Sequence, residues 1–238
     1  MSETIYFDYG EKETEHLKKR DPILGKVIDE IGHIKRKVSP DMFTALVNSI
    51  VGQQISAKAQ ATIWARILEK FSPITPKTIA ALSEEELQGC GISFRKASYI
   101  KGIADSVLDG SLDFHHLQTQ PDDEVCKRLS QIKGIGVWTA EMLMTFSMQR
   151  PDVMSIDDLA ILRGLRMLYH HRKITPKLFL KYKRRYSPYG TIASLYLWAI
   201  AGGACPELVD YAPMTEAQKK AKAKKSRQQK TYQDDNKK

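Results

Sequence analysis

Two adjacent carboxylates, Asp157 and Asp158, follow Ser155 and stand directly before an apolar run with helical spacing. They therefore open a predicted helix. A carboxylate in a cleft can stabilise positive charge on a reacting molecule or take a proton from water. The same pattern, a serine with an acid three residues later, is also typical of a capping box, in which the acid only stabilises the helix start. Spacing alone favours the cap.

A short turn, Lys133-Gly134-Ile135-Gly136, joins two predicted helices upstream of these carboxylates. Its two glycines let the backbone bend sharply and let a ligand approach closely. The free N–H groups at the start of the following helix carry the positive end of the helix dipole and can bind a phosphate. By itself, such a pair of glycines is more typical of a plain connection between helices.

Two glutamines and two tryptophans offer further polar and aromatic contacts. Gln53 and Gln54 lie at a junction between two predicted helices, and apolar runs flank them on both sides. Trp138 and Trp198 have flat surfaces that can stack on an electron-poor ring. For Trp198 taken alone, burial in the core is an equally good interpretation.

Four segments together, QQIS, GIGVWTA, IDDLAI and YLW, resemble the helix-hairpin-helix superfamily of DNA glycosylases, in which a hairpin, a Gly/Pro-rich loop and an Asp recur. Within it, the chain is most similar to the alkyladenine branch, that of 3-methyladenine DNA glycosylase II. The resemblance extends from about Asp21 to Pro213. It implies an all-α fold in which two helical subdomains flank a DNA-binding cleft, and we expect no N-terminal β domain.

The resemblance also distinguishes the two carboxylates. Family members place the catalytic Asp three residues before an aliphatic residue and five before a basic one. Asp158 stands at these distances from Ile161 and Arg163, so the resemblance implies that Asp158 is the catalytic residue. Asp157 is then expected to be the helix cap or a supporting neighbour.

The remaining roles that the resemblance implies are contacts with DNA and with a cation. The expected base-pocket residues are Trp138, Trp198 and Met142, where Met142 replaces a pocket tyrosine of one well-known member. The expected wedge, which fills the gap left by an extruded base, is Gln54 with Gln53. The expected phosphate-binding residues are Gly134, Ile135, Gly136 and Val137. A Na⁺ or K⁺ ion in the hairpin is expected on the backbone carbonyls of Ser130, Ile132 and Ile135.

The implied reaction is hydrolysis of the bond between deoxyribose and a damaged base that has been turned out of the duplex. Positive charge develops on the sugar, and an ionised Asp158 can stabilise it. An alkylated purine leaves from an already cationic state, so no general acid is needed. We also expect that the chemistry requires no cofactor. Members with lyase activity carry a lysine where this chain has Trp138, so the resemblance implies a monofunctional glycosylase that initiates base-excision repair. Its expected substrates are of the 3-methyladenine type, with 7-methylpurines and hypoxanthine as further candidates.

Two other functions stay open at this point. A glycosylase for deaminated or mismatched bases shares the same motifs. A non-catalytic helix-hairpin-helix protein binds DNA in the same way, with Asp158 serving only as a helix cap.

Charge and cysteine content limit the partners of this chain of 238 residues. Its 37 Lys and Arg against 28 Asp and Glu give a formal net charge of +9, which favours a polyanion such as double-stranded DNA with damaged bases. Nine basic and three acidic residues lie beyond Pro213. Cys90, Cys126 and Cys205 are far apart, which predicts reduced thiols and no iron–sulfur cluster.

No apolar stretch is long enough to span a bilayer. We therefore expect no membrane partner and a cytoplasmic location, associated with the nucleoid if the source is bacterial or archaeal. We also expect a monomer.

Apolar residues recur at helical spacing along most of the chain, and no segment alternates with period two. This pattern predicts an all-α fold of about ten helices. The predicted division has an N-terminal helical part of the terminal subdomain at 1–38 and a central subdomain with the hairpin at 39–151. The Asp-bearing and C-terminal helices of the terminal subdomain follow at 152–213, and a basic tail expected to be disordered follows at 214–238.

Overall fold

The computed structural model describes residues 4–213. Within that range the regular structure is helical apart from one isolated antiparallel bridge between Tyr6 and Lys37. The helices are α1 (Glu11–Arg20), α2 (Pro22–Ile31), α3 (Met42–Gly52), α4 (Ala57–Phe71), α5 (Pro76–Ala80), α6 (Glu84–Gln88), α7 (Phe94–Leu108), α8 (Phe114–Thr119), α9 (Asp122–Ser130), α10 (Val137–Phe146), α11 (Leu159–Tyr169), α12 (Pro176–Tyr186) and α13 (Gly190–Ala201). The prediction of an all-α fold is confirmed, with thirteen helices among the described residues instead of about ten.

Several helices begin at a polar side chain that caps the free N–H groups of the first turn. Asp21 Oδ1 accepts the N–H groups of Ile23 and Leu24 at 3.1 Å each and starts α2. Ser56 Oγ accepts the N–H of Ala59 at 3.2 Å and starts α4.

Two of the helices, α1 and α8, have no periodic apolar signal in the sequence. Helix α1 buries only Leu17, so its sequence shows no apolar stripe. Its start is fixed by the N–H of Gly10, which donates to Glu13 Oε2 at 2.8 Å. Helix α8 has six residues, which is too short for a periodic signal.

The buried apolar residues form two clusters, one for each part of the molecule. The first cluster draws its residues from Met42 to Val153 and lies among α3 to α10. The second combines residues from Phe7 to Ile28 with residues from Met154 to Cys205, so both ends of the described chain meet in it. We refer to these parts as the central and the terminal subdomain.

The loop between α10 and α11 is fixed to the start of α13. Asp152 accepts the hydroxyl of Ser187 at 2.6 Å and the N–H of Gly190 at 2.9 Å. The Thr191 hydroxyl accepts the N–H of Val153 at 2.9 Å. These contacts set the direction in which the chain enters α11.

None of the described helices combines the length and the apolar character needed to cross a bilayer. The tail predicted at 214–238 lies outside the described residues.

Candidate active site

Asp158 lies where the two subdomains meet and is 7% exposed. Its Oδ1 accepts the backbone N–H groups of Ala160 and Ile161 at 2.9 Å each. Its Oδ1 also accepts the indole N–H of Trp198 at 3.1 Å, and its Oδ2 accepts the indole N–H of Trp138 at 3.1 Å. Four N–H donors therefore converge on one carboxylate, an arrangement that suits a negative charge.

The same geometry corrects the expected division of labour between the two carboxylates. Asp158 is itself the N-cap of α11, with extended backbone angles. Asp157 is exposed and caps nothing, and its N–H donates to Ser155 Oγ at 3.3 Å. The cap and the candidate catalytic group are thus one side chain, because α11 begins one residue later than a cap at Asp157 requires.

The two indoles reach Asp158 from opposite subdomains. Trp138 stands in the first turn of α10 and is 41% exposed. Trp198 stands on α13, is partly buried, and packs its ring at 5.5 Å between centroids against Phe146. Each N–H bond fixes one ring edge at the carboxylate.

A close helix contact sets the position of Trp198 relative to Asp158. Helices α11 and α13 pack against each other, and a Cβ at Gly164 would lie 2.4 Å from the carbonyl oxygen of Leu197. No side chain fits there, so Gly164 allows the two helices to approach. Sequence reasoning did not identify this glycine, because its need arises only from a partner helix far along the chain.

The hairpin between α9 and α10 has the expected turn. Gly134 has φ +89°, which favours glycine, and a Cβ there would lie 2.3 Å from the ring of Tyr99. Gly136 is the N-cap of α10, and a Cβ there would meet no atom of the described chain within 4 Å. Glycine has no side chain to cap the helix, so the first N–H groups of α10 stay available at a surface where Val137 is 45% exposed. Ile135, by contrast, is buried beneath the turn.

The two glutamines occupy different environments. Gln54 is exposed and has φ +57°, a left-handed conformation that points the loop outward. Gln53 is partly buried, and its Nε2 donates to the carbonyl oxygen of Gly134 at 2.8 Å. Of the two predicted wedge residues, Gln54 has the exposed side chain, whereas the side chain of Gln53 is bound to the hairpin.

Met142 lines a cavity of about 410 Å³ between α3, α4 and α10. Phe146 lines the same cavity and connects it to Trp198 by ring packing. Trp64, interpreted from sequence as a core residue, is only partly buried and also faces this cavity. Neither Asp158 nor either site indole lines a larger cavity, of about 680 Å³, between α7, α8 and the hairpin turn.

The family model for HhH-GPD superfamily base excision DNA repair proteins matches residues 47–187. This range includes the loop of Gln54, the hairpin and Asp158, and it exceeds half of the chain. The chain belongs to the HhH-GPD superfamily.

Relatives within the superfamily have related names. DNA-3-methyladenine glycosylase 1 of Schizosaccharomyces pombe is 33% identical over 204 residues, covering 82% of this chain and 87% of the relative. A DNA-3-methyladenine glycosidase structure from Bacillus halodurans has a TM-score of 0.77 and 36% identity, covering 86% of this chain and 95% of that one. A 3-methyladenine DNA glycosylase from S. pombe, solved in complex with abasic DNA, has a TM-score of 0.72 and 32% identity, covering 80% and 97%.

Glu141, an acidic residue on α10 near the site, was not identified from the sequence. Its Oε2 has no hydrogen-bond partner in the described part of the chain. Burial raises the pKa of Glu141; the charges of Asp157 and Asp158 add to the rise, whereas Ser155 and Lys183 oppose it. Glu141 therefore lies against the loop that carries the catalytic candidate. An acid within the apolar helix VWTAEMLMTF was the signal that could have revealed it.

Proposed function

We propose that this HhH-GPD protein is a monofunctional DNA glycosylase that removes alkylated purines of the 3-methyladenine type and so initiates base-excision repair. The observation that carries the proposal is the carboxylate of Asp158, which accepts one indole N–H from each subdomain at the junction between them. The names of the relatives, DNA-3-methyladenine glycosylases, support the choice of substrate.

In this proposal double-stranded DNA binds through the hairpin first. The uncapped N–H groups of Gly136 and Val137 donate hydrogen bonds to a backbone phosphate, where the helix dipole adds positive potential. The exposed Gln54 then enters the duplex and fills the space of the extruded base. The S. pombe relative was solved in complex with abasic DNA, which supports DNA as the partner.

A monovalent cation fits the hairpin by the chemistry of its donors. The expected ligands are the carbonyl oxygens of Ser130, Ile132 and Ile135, and hard cations prefer oxygen ligands. The Ile132 carbonyl also accepts the N–H of Ile135 at 3.0 Å, so it orients the turn even without an ion. Na⁺ or K⁺ bound there would reinforce the positive end of α10 at the phosphate.

The chemical step needs one negative group. As the glycosidic bond lengthens, positive charge develops on the sugar, and the carboxylate of Asp158 stabilises it. The four N–H donors hold both oxygens, so little reorganisation is needed during the reaction. Either indole face can stack on a cationic purine and contribute on the order of 1–2 kcal/mol.

The residue at position 138 makes the proposal monofunctional. An indole N–H only donates hydrogen bonds and has no free lone pair for attack on the sugar. The N–H of Trp138 is, moreover, bound to Asp158 at 3.1 Å. Water is therefore the nucleophile, and the product is an intact abasic site.

The test is incubation of the purified protein with methylated duplex DNA, followed by chromatography of the released bases. Release of 3-methyladenine supports the proposal. Release only from duplexes with hypoxanthine, uracil or a mismatch supports a glycosylase for deaminated or mismatched bases. Binding without release supports a non-catalytic hairpin protein. A covalent protein–DNA adduct trapped by borohydride would contradict the monofunctional mechanism.

We further propose that the protein acts as a monomer in the cytoplasm or on the nucleoid. The site supports a monomer, because a single chain supplies the carboxylate, both indoles and the hairpin. Size-exclusion chromatography with and without duplex DNA tests this: a 1:1 complex is expected, and a stable dimer would contradict it.

A further inference from the structure

The loop between α3 and α4 carries two glutamines of which only one faces outward. Gln54 has a left-handed backbone conformation and an exposed side chain, and a side chain must be exposed to enter DNA. Gln53 turns inward, and its Nε2 donates at 2.8 Å to the carbonyl oxygen of Gly134. The two bonded residues are 81 positions apart in sequence, so this bond joins the loop directly to the hairpin.

A lysine on α7 holds the same loop from the other side. Lys96 Nζ donates to the carbonyl oxygens of Val51 at 2.9 Å and Gln53 at 2.7 Å. These carbonyls belong to the C-terminal end of α3, where a cation is favourable. Lys96 thereby fixes the backbone of Gln53 while the side chain of Gln53 reaches the hairpin.

Helix α7 also contacts the hairpin directly. Tyr99, three residues after Lys96, lies so close to Gly134 that a Cβ there would be 2.3 Å from its ring. One helix thus supports the backbone of the loop through Lys96 and the backbone of the turn through Tyr99. Gln53 closes this arrangement by connecting the loop and the turn to each other.

We propose that Gln53 is a positioning residue that couples the wedge loop to the phosphate-binding hairpin, with Lys96 holding it in place. Movement of the hairpin on binding a phosphate is transmitted through the Gly134 carbonyl to the loop that presents Gln54. This inference rests on the proposed function for the roles of Gln54 and the hairpin. It assigns to Gln53 a part different from the wedge role that the sequence implied.

The alternative is a purely structural Gln53, whose loss lowers stability and leaves extrusion untouched. The test therefore needs a readout of wedge insertion that does not depend on base release. A duplex with 2-aminopurine beside a tetrahydrofuran abasic analogue provides it, because 2-aminopurine fluorescence rises when stacking is disturbed. Base release from methylated DNA is measured in parallel under single-turnover conditions.

The variants are Gln53→Met, which keeps the side-chain length but removes the donor, Gln54→Ala, and the double variant. Gln118→Met is the matched control, because among the described residues its side-chain amide donates a hydrogen bond to Met42 Sδ, at 3.6 Å, and none to the loop or the hairpin. We expect Gln53→Met to reduce both the fluorescence change and the rate of release about tenfold. Affinity for undamaged duplex should stay within about twofold, because phosphate contacts dominate it.

Coupling further predicts that the double variant is no worse than Gln54→Ala alone, since Gln53 acts only through Gln54. Effects that add in the double variant, or a Gln53→Met protein that behaves like the control, would overturn the inference. If Gln53→Met does not fold, Lys96→Met replaces it: we expect the same loss of the fluorescence change and rescue in Lys96→Arg, which keeps donors. Absence of base release in the wild type would count against the proposed function alone, because the fluorescence measurement still decides the coupling.

Discussion

The two subdomains prepare for DNA in different ways. The terminal subdomain presents one carboxylate, buried and held by two backbone N–H groups and the indole of Trp198. The central subdomain presents groups that are still free, namely the uncapped start of α10, the exposed Gln54 and the exposed face of Trp138. The candidate catalytic group is therefore held in place, whereas the candidate DNA-binding groups are accessible.

This difference has a physical basis. A group that stabilises charge must not reorganise during the reaction, so it benefits from burial and fixed donors. Backbone N–H groups that bind a phosphate must instead stay accessible, and glycine allows this because it has no side chain to cover them. Trp138 links the two subdomains, since it lies on α10, directly after the hairpin turn, and its indole N–H donates to Asp158.

The largest effect is expected from Asp158→Asn, which tests the buried carboxylate of the terminal subdomain. Asparagine keeps an acceptor oxygen for the cap but loses the negative charge, so we expect base release to fall about a thousandfold while lesion binding is retained. Single-turnover rates and an affinity measurement on the same duplex check this. Asp158→Ala is the control for the cap: it should also lose about 1 kcal/mol of the free energy of unfolding. Normal release by Asp158→Asn would reduce Asp158 to a cap.

Substitutions of the two tryptophans, one in each subdomain, compare the contributions of the subdomains directly. Trp198→Phe and Trp138→Phe each remove one hydrogen bond to a charged group, which should lower the rate of base release about ten- to a hundredfold. Because Trp138 stands beside the hairpin, its replacement should also raise KM, whereas Trp198→Phe should change kcat alone. Steady-state kinetics on one lesion duplex separates the two. Identical kcat and KM changes would show that both tryptophans belong to one function.

Substitutions of the two hairpin glycines test the accessible N–H groups of the central subdomain. Gly134→Ala forces a side chain into a left-handed position and onto Tyr99, so it should cost about 1–3 kcal/mol of stability and weaken DNA binding about tenfold. Gly136→Ala meets no atom of the described chain and should leave the thermal midpoint unchanged. If Gly136→Ala nevertheless weakens binding, as measured by fluorescence anisotropy, a ligand approaches the backbone there. Equal stability of both variants would contradict the described turn.

The smallest expected effect concerns stability alone. The pKa of Glu141 is raised in the folded protein, chiefly by burial, so the folded state binds more protons than the unfolded state above the ordinary carboxyl pKa of 4.5. Stability therefore falls as pH rises from there through the raised value. Glu141→Gln should be more stable than the wild type at neutral pH, and the difference should vanish below about pH 4.5. Denaturant unfolding across this pH range tests the sign of the stability difference. A Glu141→Gln variant that is less stable than the wild type at neutral pH would show that the fold needs the negative charge of Glu141.

Local patterns were enough to predict the helical class, whereas the choice of Asp158 as the catalytic candidate came from the family resemblance and not from spacing. Asp21 and Ser56 cap the starts of α2 and α4 through N–H groups only two or three residues away, which a local pattern can indicate. Asp158 was weighed as either a cap or a catalytic group, and in the fold it forms the cap while both its oxygens also meet an indole. A local pattern could pose that choice but could not show that one side chain serves both contacts.

Several features that the sequence did not reveal depend on contacts between residues far apart in the chain. Gln53 reaches Gly134, and Gly164 makes room for Leu197 on another helix. Helix α1 was missed because its stability comes from packing on α2 and a short cap rather than from its own apolar pattern. No periodicity within a segment encodes such partners.

By itself, the sequence determined the helical class, most of the helix boundaries, the hairpin and the family, because spacing, capping and turn chemistry are properties of neighbouring residues. Only the tertiary structure decided that Asp158 receives an indole from each subdomain, that Gln54 and not Gln53 is the exposed glutamine, and that Glu141 is partly buried near Asp157 and Asp158. The physical reason is that burial and hydrogen bonding between subdomains depend on how helices pack in space, which no single stretch of chain specifies.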